Sequence, residues 1–176
     1  MALVSTAAFA QQKFAHVNFN ELVTLMPEAD EARTTMNASS AEAQETYQTM
    51  IEDFQTKYQQ YQQKASTWTQ TIRETKEKEL SDMDQRIQEF QQSIQQELSA
   101  QQQELMAPIY QKAQETVEKL AKEGGYIYVF ESSQVLYVDP AQSTDLTPAA
   151  RKALNIPEGR TLETLQAELQ AAAQQQ

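Results

Sequence analysis

Cysteine is absent from this 176-residue chain, and that absence removes disulfide scaffolds, thiolate metal sites and cysteine nucleophiles together. Glycine is scarce, with three residues in all, so no glycine-rich loop is present to cradle a phosphate. His16 is the only histidine and has no second ligand at metal-binding spacing. It reads as structural, and no cofactor, metal or catalytic site can be assembled around it. No run of eighteen apolar residues is present to cross a bilayer as a helix. Positive charge is outnumbered as well: 14 Lys and Arg stand against 25 Asp and Glu, a net charge of -11. Nucleic acid is disfavoured, because counterion release requires clustered cations, and anionic lipid surfaces are disfavoured for the same reason. The many carboxylates do not rescue an enzyme reading, since acid-base catalysis needs a partly desolvated pocket that exposed helices do not supply.

What is present divides into zones. Ala2 to Ala10 is a short apolar run ending Ala8-Phe9-Ala10 before Gln11, the small-x-small pattern of a signal-peptidase site. It reads as the clipped tail of a secretion signal. Lys13 to Asn20 is expected to be a strand, with Ala15, Val17 and Phe19 alternating with His16, Asn18 and Asn20. Leu22 to Met26 then forms a helical turn stopped by Pro27, and Glu28 and Asp30 suit the start of a helix.

From Glu28 to Glu123 there is no glycine, and Pro108 is the only proline, which predicts very long helix with a candidate hinge at Pro108. Tyr47, Met50, Phe54, Tyr58, Tyr61, Ala65 and Trp68 recur at steps of three or four, as do Leu80, Met83, Ile87, Phe90, Ile94 and Leu98. Two seams in one chain predict two helices packed as a hairpin. The Ser/Thr-rich interval Lys64 to Thr71 is expected to be its tip. The glutamine runs at 59–63 and 101–103 read as uncharged solvent faces of good helix former.

Gly124-Gly125 should end the second helix. Tyr126 to Glu131 and Val135 to Asp139 are then expected to form a strand hairpin around Ser132-Ser133-Gln134, followed by short helices from Asp145 to about Asn155 and from Thr161 to Ala173. The expected class is α+β: a small β body (11–27 and 124–155), a coiled-coil hairpin arm (28–123) and a C-terminal helical extension (156–176). A body of roughly 60 to 70 residues is marginal alone, and a small sheet with open edges should be completed by other copies. Ala15, Val17, Phe19, Ile127, Val129, Leu136 and Val138 are the candidate oligomer interface. The broad amphipathic rings and flexible methionines of the arm make Tyr47, Met50, Phe54, Tyr58, Tyr61, Trp68 and Met83 candidates for gripping varied partners.

The ordered set of Phe14 to Phe19, Leu25-Met26-Pro27-Glu28, Gln85-Arg86-Ile87-Gln88-Glu89-Phe90, Pro108-Ile109, the Gly-terminated helix and Asp145-Leu146-Thr147 resembles the Skp/OmpH family. The resemblance implies a periplasmic homotrimer, a β body from which three helical tentacles hang around a cavity. It implies an ATP-independent holdase for unfolded outer-membrane β-barrel proteins. Well-known members are basic, whereas Glu28 to Glu123 here carries 18 acidic and 10 basic residues. Lipopolysaccharide or membrane capture by the arms is therefore disfavoured, and clients chosen by charge should be more basic. The alternative is a coiled-coil scaffold or spacer of the cell envelope, which the seam pattern alone does not distinguish.

Overall fold

The structure, a computed structural model, describes residues 12–174. The expected secretion-signal remnant, Met1 to Ala10, lies outside the described residues. In chain order the elements are β1 (Lys13–Val17), α1 (Phe19–Leu25), α2 (Pro27–Lys64), α3 (Gln70–Gly124), β2 (Tyr126–Glu131), β3 (Ser143–Asp145), α4 (Thr147–Ala153) and α5 (Leu162–Ala173). Single 3-10 turns occupy Ala65–Thr67 and Ser132–Gln134. The chain divides into two compact units, one holding residues up to Asp30 and from Met106 onward, the other Glu31–Leu105.

The unit Glu31–Leu105 is the helical hairpin. Its turn falls in the Ser/Thr interval, where the Thr67 hydroxyl donates back to the Lys64 carbonyl at 2.8 Å and Thr69 Oγ1 accepts from the Ile72 amide at 3.4 Å. These side chains satisfy backbone groups that the helix ends leave open.

In the other unit the sheet order is β2-β1-β3, and both pairings are parallel. Alternation along β1 turns Ala15 and Val17 into the core, where they are 0% and 3% exposed. Leu22, Leu25, Met26 and Leu154 are the largest fully buried side chains. The expected continuation of β1 to Asn20 does not form, and Phe19 opens α1 instead. The reason is a helix cap: Asn18 Oδ1 accepts from the Glu21 amide at 3.0 Å, and Asn18 Nδ2 steadies it by donating to Glu21 Oε2 at 3.2 Å. Glu131, at the end of β2, accepts from the Phe19 amide at 2.7 Å and so holds the new helix start against the sheet.

The expected strand Val135 to Asp139 also does not form. β3 lies on the far side of β1 and runs parallel to β2, so the chain leaving β2 must travel back along the sheet before β3 can begin. Val135 is extended, but among the described residues its segment pairs with no strand. The third strand is the short polar Ser143–Asp145, whose register sets His16 beside Asp145.

Gly125 ends α3 at φ 68°, a left-handed conformation that glycine adopts without cost. Pro108 is exposed within α3. Helix α5 has its own cap, with Thr161 Oγ1 accepting from the Thr164 amide at 3.1 Å. Leu165 and Ile156 are buried, so the C-terminal segment adds to the core of its unit.

Candidate functional site

The hairpin seam changes character along its length because the residues facing each other change size. Met83 and Ile87 are 8% and 7% exposed, with Met50 and Asp53 of α2 beside them. This stretch leaves only a small cleft of about 120 Å³. Toward residue 100, α3 presents Phe90, Ile94 and Leu98, but α2 answers with Ser39, Ser40 and Ala43. Small side chains opposite large ones leave the row half-buried and open on both sides of the seam. One side is a cleft of about 390 Å³ with Glu42, Thr46 and Glu97 at its edge, and the other, of about 370 Å³, carries Tyr47, Gln91 and Gln95. Across the second opening Gln91 Nε2 donates to the Tyr47 hydroxyl at 2.7 Å.

Charge is sorted along the same hairpin. From Thr34 to Glu52 and from Ile87 to Leu105 there are six carboxylates, Glu42, Glu45, Glu52, Glu89, Glu97 and Glu104, and no Lys or Arg. From Phe54 to Arg73 there are three cations, Lys57, Lys64 and Arg73, and no carboxylate. Near the turn, Lys57 and Lys76 both bond Glu79, the latter at 2.7 Å. The hydrogen bond from Lys57 leads in holding the Glu79 carboxyl down to about 2. Tyr61 donates to Glu77, which raises the phenol above its ordinary value.

The structure separates the gripping candidates. Met83 is packed in the seam, and Met50 lines the small cleft beside it. Phe54 and Tyr58 stack with ring centres 6.1 Å apart, and Tyr58 remains 45% exposed. Tyr61 and Trp68 meet edge to face at 6.0 Å near the turn. Tyr47 lies at the edge of the open slot. The row Phe90, Ile94 and Leu98 reads from sequence as ordinary seam. The only local signal of its openness is the presence of the small residues Ser39, Ser40 and Ala43 on α2, whose register against that row the sequence does not fix.

The interface candidates divide too. Ala15 and Val17 are buried by their own chain and offer no surface to another copy. Phe19 is part of α1, its ring 6.3 Å from that of Tyr110. Val129 and Val138 are half-buried, whereas Ile127 and Leu136 are exposed. Beside them stand the exposed rings of Tyr128, Phe130 and Tyr137, and Tyr128 stacks on Phe14 at 6.3 Å. His16 Nδ1 lies 2.9 Å from the Ser143 hydroxyl on the same face. The described residues contain no cluster of three or more His, Cys, Asp or Glu able to hold a metal. Among them, no helix is long and apolar enough to cross a membrane.

The profile of a family described as "Outer membrane protein (OmpH-like)" matches residues 13–154. The chain belongs to the OmpH-like family. An OmpH-like protein from Caulobacter crescentus CB15, named for an outer membrane chaperone, has a similar crystal structure at 15% identity and TM-score 0.73. That match covers 88% of this chain and 90% of the other. No curated protein matches this OmpH-like chain. The family match ends at Leu154, the last fully buried leucine of the compact unit, and leaves the segment carrying α5 outside it.

Proposed function

We propose that this OmpH-like protein is a non-enzymatic, ATP-independent holdase of the periplasm, which binds unfolded outer-membrane β-barrel proteins and prevents their aggregation. The observation that carries this reading is the hairpin itself. It holds a half-buried apolar row open along a helical arm, where a compact protein would close such a row into its core. The exposed ring of Tyr58 and the half-buried rings of Tyr47, Tyr61 and Trp68 add adaptable contact area. Membership of the OmpH-like family and the likeness to a protein named as an outer membrane chaperone support the same reading.

Holding a whole unfolded chain calls for several arms at once, and the body supplies a surface for assembling them. Tyr128 and Phe130 are exposed on the edge strand β2, as are Leu136 and Tyr137 in the segment that follows it, and an unpaired edge with an apolar flank favours association. We assign the assembly as a homotrimer, with the Val135 to Asp139 segment and the β2 edge at the contacts between copies. Pro108 is the hinge in this reading.

The test is aggregation of a urea-unfolded outer-membrane β-barrel protein on dilution, followed by light scattering. Near-stoichiometric trimer should keep it soluble without ATP. Scattering equal to that of the client alone would end the proposal.

A further inference from the structure

The open slot of the hairpin has a chemistry that the holdase reading does not specify. Its floor is apolar, formed by Phe90, Ile94 and Leu98 against Ala43. Its rim on one side carries Glu42 and Glu97, one from each helix. Arg86 stands three residues before Glu89 and Lys57 five after Glu52, but Glu42, Glu45, Glu97 and Glu104 have no Lys or Arg within seven residues on their own helix. Two of the six are bonded by a neighbouring amide, Glu52 by Gln48 at 2.8 Å and Glu89 by Gln85 at 2.6 Å. Among the described residues, no ion pair is formed by Glu42 or Glu97. A volume of about 390 Å³ accommodates one or two side chains, not a folded surface.

We infer that this slot takes an apolar or aromatic side chain of an unfolded polypeptide flanked by lysine or arginine, the apolar group lying on the Phe90-Ile94-Leu98 row and the cation meeting Glu42 and Glu97. The inference rests on the holdase reading and names the segment that the arm selects. Charge complementarity decides the occupant. An acidic segment would meet Glu42 and Glu97, neither with a cation within seven residues on its own helix, and an uncharged apolar segment would leave the carboxylate rim unused. The acid-free stretch from Phe54 to Arg73 is the wrong sign for the same cation, so selection should belong to the middle of the arm and not to its tip.

The probes are three labelled peptides of equal length, with Phe spaced among Lys, Phe among Glu, and Ser among Lys, titrated against the full chain by fluorescence anisotropy at low and high salt. The Phe/Lys peptide should bind about tenfold or more tighter than either of the others, and added salt should narrow its advantage over Phe/Glu. The double variant Glu42→Gln, Glu97→Gln keeps side-chain size and helix propensity, and should weaken Phe/Lys binding by about three- to tenfold, as expected for two exposed ion pairs. Ala43→Phe, which fills the slot, should abolish binding while far-ultraviolet circular dichroism stays that of the parent. Equal binding of Phe/Lys and Phe/Glu, or undiminished Phe/Lys binding by the double glutamine variant, would overturn the assignment. If the chain suppresses aggregation of an unfolded barrel protein yet shows no charge preference among the peptides, the slot assignment falls and the holdase reading stands. If the charge preference is present and the barrel protein aggregates as it does alone, the holdase reading falls and the slot assignment stands.

Discussion

Arg160 donates to Asp30 across 2.5 Å, tying a residue beyond the family match to the first turns of α2. Its side chain is 18% exposed, and Glu168 of α5 lies 3.6 Å from the same guanidinium. Arg151 strengthens the join by donating to Glu21, to the Pro157 carbonyl at 3.0 Å and to the Arg160 carbonyl. Arg160→Ala should therefore destabilise its unit by about 1–2 kcal/mol, through the lost ion pair and the lost packing of the arginine stem. Hydrogen exchange should show α5 losing protection before the sheet does.

The seam predicts a contrast between two residues of similar sequence pattern. Met83→Ala removes a side chain that is 8% exposed and should cost about 2 kcal/mol or more, read as a lower melting temperature of the hairpin. Tyr58→Ser removes a ring that is 45% exposed, and should stay within about 0.5 kcal/mol. Weaker client capture by Tyr58→Ser, with melting unchanged, would identify that ring as gripping surface.

Acid should loosen the hairpin near its turn. Lys57, with Lys76 as second donor, holds Glu79 at about 2 against an ordinary 4.5. A carboxyl whose folded value is depressed stabilises the fold above its unfolded value, and that contribution disappears as pH falls from 4.5 toward about 2. Thermal melts followed by circular dichroism should therefore drop across this window in the parent, and less in Glu79→Gln. Because the pair is exposed, the difference should be small and should shrink further in salt.

Gly125→Ala tests the end of α3. Nothing lies within 4 Å of a Cβ placed there, so the cost comes from the backbone at φ 68° alone, about 1 kcal/mol. At Gly124 the same change would put a Cβ 2.2 Å from the Tyr126 ring, which must then move. That contact is with the far end of a side chain that can swing aside, and Gly124 is helical, where Ala is favoured over Gly, so chemical unfolding should rank Gly125→Ala as the more damaging.

Much of this architecture was legible before any coordinates. The absence of glycine from Glu28 to Glu123 marked the two long helices, and the Ser/Thr interval marked the turn between them, because both signals are local. The failures have long-range causes. Val135 to Asp139 has the β-branched and aromatic composition of a strand, yet the parallel order of the sheet uses it as a return path. Ser143–Asp145 is too short and too polar to announce itself, and becomes a strand because β1 offers it an edge. Phe19 kept the alternation of β1 on paper, but the Asn18–Glu21 cap outweighed one more residue of period two. The open slot was hidden because it depends on which residues of α2 face Phe90, and that register is set only when the helices pair.

The most direct test is sedimentation velocity of the full chain, alone and mixed with an outer-membrane β-barrel protein diluted from urea, because it reads assembly and client capture together. The account predicts a particle of three chains that shifts to a discrete, heavier complex holding the client in solution. A monomer or dimer, with the client pelleting as it does alone, would contradict it and favour a scaffold of the cell envelope.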